Sequence, residues 1–207
     1  MILNLCACVG CASLPPEPLL LWTAPLTNTP DSSIIINHRD ESLPQWVEIF
    51  YSYGERGIEA LSQYRACYAF VCSNRGANKD ALQLWSDSFN PSIDFPLMVA
   101  RRVADRFVEE AETYPDYWYG AFFETAVKTV ADAAYSGAAV DSSYWCLKRY
   151  PSNYEVYDFL VLVIIEKQLL QTQLLKIFEQ IEQIDIPARK EQKSAISSAI
   201  RHFFDYF

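Results

Sequence analysis

Residues 155–165 read EVYDFLVLVII, alternating at first and then wholly apolar through FLVLVII at 159–165. Seven apolar residues are too few to cross a bilayer, which takes about 20 in a helix. Dense Val, Ile and Phe favour extended chain, so the stretch reads as a buried strand. Just upstream, RYPSN at 149–153 has turn composition, and residues 138–148 have a period of two with Val140, Tyr144 and Cys146 on one face. The two strands and the turn make a hairpin. A further strand is RACYAFVCS at 65–73, bounded by the turn signal Asn74-Arg75-Gly76. Its faces, Cys67/Ala69/Val71 and Ala66/Tyr68/Phe70/Cys72, are both apolar, as in a covered strand.

Helical periodicity fills the remainder. Trp46, Ile49, Phe50 and Tyr53 fall at helical spacing, punctuated by Gly54 and Gly57. Asn78 to Phe89 carries Ala81, Leu84, Trp85 and Phe89, and Pro91 ends it. Asp94 then caps a stronger helix with Pro96 in its first turn. On that helix Ala100, Ala104, Phe107 and Ala111, joined by Val103 and Val108, form the apolar side. Arg101, Arg102, Asp105, Arg106, Glu109 and Glu110 take the other side. Pro115 starts a helix with Tyr119, Phe122, Phe123, Ala126, Val127 and Val130, and Gly137 stops it. Leu170, Leu174, Ile177, Ile181 and Ile184 mark a late helix, and Pro187 restarts a last one through Ile196, Ile200, Phe203 and Phe207. Strand, helices, hairpin and helices in that order give an α+β domain. The expected fold is a small antiparallel sheet of about three strands, packed by several helices on one face, with a helical C-terminal extension.

With 207 residues, 51% of them hydrophobic, the chain builds a real core, and one domain over 41–207 is expected. A net charge of −9 without a basic stripe speaks against nucleic acid and anionic membrane surfaces as partners. Of the six cysteines, Cys6, Cys8 and Cys11 crowd the N-terminus, and Cys67, Cys72 and Cys146 are scattered. Neither set has the paired spacing and second ligand pair of a zinc site, and His38 and His202 are the only histidines. No metal and no cofactor are expected. Cys146 has two conceivable partners for a disulfide, Cys67 and Cys72, against three buried free thiols.

The opening MILNLCACVGCASLPPEP has Ile2, Leu3, Leu5 and Val9 leading through small residues to cysteine. Gly10-Cys11-Ala12-Ser13 resembles a bacterial lipobox, in which the cysteine is acylated and becomes the first mature residue; Leu5-Cys6-Ala7-Cys8 fits as an alternative. Residues 1–11 then read as the end of an export signal that starts further upstream. Prolines at 15, 16, 18, 25 and 30 keep residues 12–40 extended, as a tether from membrane to domain requires. Lipid attachment falls on Cys11, or on Cys8, and the expected place is the cell envelope, periplasmic or at the outer membrane.

Pro44-Gln45-Trp46-Val47, a strand, Ala100-Arg101-Arg102-Val103-Ala104, a helix, a glycine and a hairpin ending in Tyr157 to Val163 together resemble the LPP-twenty lipoprotein family. That family is related to the N-terminal domain of the flagellar assembly protein FlgT, and the resemblance covers roughly residues 43–175. Val71-Cys72-Ser73-Asn74 stands where the family has V-G-x-G, and the segment 51–64 is longer. The resemblance implies an envelope location and a structural or protein-binding role tied to surface or flagellar assembly, with no enzymatic activity.

Sites of chemistry are weak. His38 and His202 lack the setting of a catalytic base. Glu109, Glu110, Glu112 and Asp116 read as a solvated helix end rather than a carboxylate pair. The aromatic group Tyr114, Tyr117, Trp118 and Tyr119 exceeds what one helix face buries, and with Trp145 it is the candidate interaction surface. Its partner would be an envelope protein or a second copy of the chain. A periplasmic module with an aromatic-lined pocket for a small ligand is the alternative.

Overall fold

The computed structural model describes residues 33–40, 42–111, 117–183 and 203–207, the side chains of 109–111, 117–121, 182, 183, 205 and 206 excepted. The order is β1 (Ile34–His38), α1 (Gln45–Ala60), β2 (Cys67–Gly76), α2 (Lys79–Asp87), α3 (Pro91–Ala111), α4 (Tyr117–Asp132), β3 (Ala139–Arg149), β4 (Glu155–Glu166) and α5 (Lys167–Gln183), with a 3-10 turn at Phe203–Tyr206. The class is α+β, as the patterning predicts. Among the described residues there are four strands rather than about three, all antiparallel in the order β1-β3-β4-β2.

β4 is the EVYDFLVLVII stretch, and its composition now has a cause. It pairs with β3 on one side and β2 on the other, and helices cover both of its faces. Val161, Val163 and Ile165 point to one face with Tyr68 and Phe70 of β2, and are packed by Phe95, Val99, Val103 and Phe107 of α3. α4 adds Phe122 and Ala126 there, α5 adds Leu174 and Phe178, and Phe203 and Phe207 close the core. Leu160 and Leu162 point to the opposite face with Ala69, Val71, Tyr144 and Cys146, and meet Trp46, Val47 and Ile58 of α1. Helices therefore lie on both faces, not on one. α1 is responsible, because β2 follows it directly and leads the chain away on the other side.

Local boundaries also differ from the sequence reading. β2 runs through the turn signal Asn74-Arg75-Gly76, because β4 is long enough to pair with it as far as Tyr157. α3 begins at Pro91 rather than after Asp94. Asn90 takes the cap position: its Oδ1 accepts from Ser92 N at 3.0 Å, and its own N–H donates to Asp94 Oδ2 at 2.9 Å. Pro91 thus opens a helix, at the position where a missing N–H costs nothing. α1 is broken at Gly54, where φ 67 and ψ −162 are open only to glycine. The hairpin turn between β3 and β4 places Asn153 at φ 61, a conformation asparagine tolerates.

The largest change concerns residues read as the end of the tether. Ile34–His38 form an edge strand against Cys146–Arg149 of β3, with a bulge between Ile35 and Asn37. The last helix expected from Pro187 lies outside the described residues as far as 202.

Candidate interaction surface

The predicted site residues separate. Cys8, Cys11 and Tyr114 lie outside the described residues. Tyr117, Trp118 and Tyr119 form the start of α4, and their side chains lie outside the described set. Trp145 stands on β3 opposite Phe159 of β4. It stacks on Phe159 with centroids 6.2 Å apart, meets Tyr157 edge-on at 5.9 Å, and carries Lys79 Nζ 3.9 Å above its ring. The ring is half-buried and its face is covered by the Lys79 ammonium, so it is packed between neighbours rather than presented.

Two buried polar groups were not foreseen. In the first, Asp158 of β4 is 0% exposed on the α1 face. Its Oδ2 accepts from Tyr51 Oη at 2.9 Å and pairs with Lys148 Nζ at 3.0 Å; Arg75 Nε lies 3.2 Å from Oδ1. Cys146 Sγ is 3.5 Å from the same Tyr51 hydroxyl. Burial, then the Asp158 charge, holds the Tyr51 phenol well above its ordinary value, and burial raises the Cys146 thiol. Both therefore stay protonated, and the group joins α1, β2, β3 and β4 through one carboxylate.

The second group closes the outer edge of β2. Ala69 N donates to Glu59 Oε1 at 3.1 Å and Val71 N donates to Glu55 Oε1 at 2.8 Å. Arg102 Nη1 donates to Glu59 Oε1 at 2.6 Å and to Ala69 O at 3.3 Å. Glu55 and Glu59 are one helical turn apart on the segment that follows the Gly54 break. They act as a neighbouring strand would, satisfying edge groups that otherwise invite another chain. Arg102 also lies over the rings of Tyr68 and Phe207, each 4.9 Å from its Cζ. Read from sequence as one side of a solvated face, Arg102 is largely enclosed, and Arg106 is 7% exposed with Nε on Phe203 O at 3.3 Å.

What α3 shows to solvent is correspondingly apolar. Ile93, Leu97 and Val108 are 70%, 60% and 63% exposed. Val108, assigned to the core side by its hydrophobicity, is outside it. At 100° per residue Ile93, Leu97, Ala104 and Val108 fall within an arc of about 60°, a signal present in the sequence once positions are placed on a wheel. Arg101 and Asp105 stand beyond one edge of the same arc, at about 80° and 120° from Ile93.

The three remaining cysteines are free. β2 and β3 are separated by β4, and Cys72 faces the α3 side while Cys146 faces the α1 side. Cys67 shares the α1 side but lies opposite Glu166, eight positions along β4 from Asp158, the partner of Cys146. At about 3.4 Å per residue that is far beyond disulfide reach, so neither pairing of Cys146 is possible. Among the described residues no cluster of three metal-ligating side chains occurs, and no helix is long and apolar enough to cross a membrane. Comparison with protein-family models, with curated proteins and with solved structures finds no match to this chain.

Proposed function

We propose that the chain is a cell-envelope lipoprotein whose α+β domain has a non-catalytic, protein-binding role. The observation that carries the binding role is the exposed apolar line on α3, Ile93, Leu97 and Val108. An amphipathic helix with an apolar stripe on each side has one stripe more than its own core needs. The ionisable groups enclosed in the domain serve packing: Asp158 and Lys148 link strands, and Glu59 and Arg102 seal a sheet edge. The anchoring part of the reading rests on the Gly10-Cys11-Ala12-Ser13 sequence and the proline-rich stretch after it. An acylated cysteine supplies about 0.8 kcal/mol per buried CH₂, so the domain needs no membrane surface of its own. The domain's acidity agrees with that arrangement.

Palmitate labelling of the protein expressed in its native host from its own locus tests the anchor. Label is expected on wild type and lost in the Cys8→Ser/Cys11→Ser double variant, which moves from the membrane to the soluble fraction. A double variant that still fractionates with membranes and takes up label would sink the anchoring reading. Affinity capture of the anchored protein from detergent-solubilised membranes then tests the binding role: a Leu97→Asp variant is expected to lose partners that wild type retains.

A further inference from the structure

We infer that residues 55–60, the part of α1 beyond Gly54, are a pH-gated strap that opens and closes as a unit over the outer edge of β2, with Glu55 as its release. The inference stands apart from the lipid anchor and from the binding role of the domain.

The strap is hinged at both ends. At Gly54 the chain takes φ 67 and ψ −162, so the two pieces of α1 meet at a swivel rather than in one rigid rod. At the other end Leu61 has φ −64 and ψ 140, and backbone turns through Leu61 and Tyr64 carry the chain into β2. The piece before Gly54 is fixed to the sheet by Trp46 and Val47 and by the bond from Tyr51 to Asp158. The strap itself is held by Ile58, which is 0% exposed, and by its two carboxylates. Glu59 accepts from Ala69 N and from Arg102, and Glu55 accepts from Val71 N.

The two carboxylates are not equivalent. Glu59 has Arg102 Nη1 at 2.6 Å. Among the described residues Glu55 has the Val71 N–H as its hydrogen bond and no cation in contact. The charged and titratable groups that face it are Glu59 on the strap, Arg101 and Arg102 on α3, and Cys72 on β2. Arg102 is engaged with Glu59 and with Ala69 O, and Arg101 is exposed, so water screens its charge. Glu59 adds a like charge. Ionised, Glu55 exchanges its hydration for a single amide; neutral, it keeps that bond without the cost of burying a charge. Burial accordingly raises its carboxyl above 4.5 in the closed form, with the Val71 N–H and then the two arginines opposing. Opening returns Glu55 to water, where it ionises at its ordinary value. Above 4.5 each pH unit then favours the open strap by up to about tenfold, and the effect levels off once the closed-form value is reached. The strap is tight in acid and looser toward neutral pH, and what it uncovers is the Ala69 and Val71 N–H groups.

Hydrogen exchange of the full chain, read amide by amide by NMR, tests the strap, with protection taken relative to the intrinsic rate at each pH. Ala69 and Val71 are expected to be protected at least about tenfold less than Leu162 and Val163, which lie inside the sheet and open only with the whole domain. Their protection should fall by about tenfold or more between pH 4.5 and neutrality. In Glu55→Gln, which keeps an acceptor for Val71 and carries no charge, it should stay within about threefold over the same range. Protection at Ala69 and Val71 equal to that of Leu162 and Val163 overturns the inference, because the edge then opens only by global unfolding. So does a wild-type profile that is flat with pH, or a fall that persists in Glu55→Gln. If circular dichroism shows that the variant has lost its fold, the wild-type comparison and its pH profile decide alone.

Discussion

Replacing Asp158 with alanine should be among the most damaging single changes in the domain. The carboxylate is 0% exposed, and Lys148, whose side chain is 5% exposed, has its ammonium 3.0 Å away. Removing one member of a buried ion pair costs about 3–5 kcal/mol, because the other charge keeps its desolvation penalty and loses its counter-charge. Arg75 adds little to this sum: its side chain is 51% exposed, and such pairs are worth about 0–1 kcal/mol. The Tyr51 hydroxyl also loses an acceptor at 2.9 Å, but that loss overlaps with the first and is not added to it. The expected cost is therefore about 4 kcal/mol, a large part of the 5–15 kcal/mol typical of a domain. Urea unfolding followed by fluorescence of Trp46, Trp85 and Trp145 measures it as a fall in midpoint at unchanged slope. The reasoning also requires that an apolar pair do better than the half-broken one. Asp158→Leu/Lys148→Met should regain most of the loss, since well-packed apolar replacements of buried ion pairs are often near neutral. A single variant within about 1 kcal/mol of wild type, or a double variant no better than the single, would refute the account of Asp158 as a buried structural charge.

Three further outcomes follow from the structure. Gly137 stands at φ 85, and a Cβ there would run into the Leu169 side chain, so Gly137→Ala should lower stability by about 1–3 kcal/mol in thermal melts, and an unchanged melt would contradict the geometry. Burial raises the Glu55 carboxyl above its ordinary 4.5, with Val71 N–H and Arg102 opposing. A raised folded-state value contributes stability that is complete below 4.5 and is lost as pH rises through the raised folded-state value. Glu55→Gln keeps an acceptor for Val71 and removes that loss. Urea midpoints should show the variant the more stable near neutral pH and the two converging in acid; a variant less stable at neutral pH would mean the ionised carboxylate is favoured. Finally, native alkylation should label Cys67, which is partly exposed, well before Cys146, which is 0% exposed with its thiol raised by burial. Neither residue's labelling in denaturant should depend on prior reduction, and a reductant-dependent mass change at Cys146 would contradict the sheet register.

The elements legible from the chain are those whose own composition suffices. FLVLVII could not be solvated on either face, so β4 had to be covered, and its register with β3 followed from a short turn of residues 150–154. The apolar periodicities of α4 and α5 likewise marked the faces they bury. Boundaries moved where a partner extended an element. Asn74 to Gly76 are turn-formers alone, yet they continue β2 because β4 lies alongside. Asn90 caps α3 because Pro91 follows it, a local signal that the more obvious Asp94 concealed.

Long-range placement was not legible. Ile34–Ile36 is a weak strand signal after a proline-rich stretch, and it becomes β1 because β3 has an open edge at Cys146–Arg149. α1 covers the face opposite α3 because the chain enters β2 from that side, a choice that helical periodicity does not encode. Charged residues were the least legible of all. Arg102, Arg106, Lys148 and Asp158 look like solvent-facing residues, and all four are enclosed because a specific partner is brought to each by another part of the chain. Val108 looks like core and is exposed. The sequence by itself determined that β2, β3 and β4 are strands and that α1 to α5 wind as helices, because local propensity and apolar period are properties of short stretches. Only the tertiary structure decided which face each helix covers and which charges are buried, because both depend on neighbours distant along the chain.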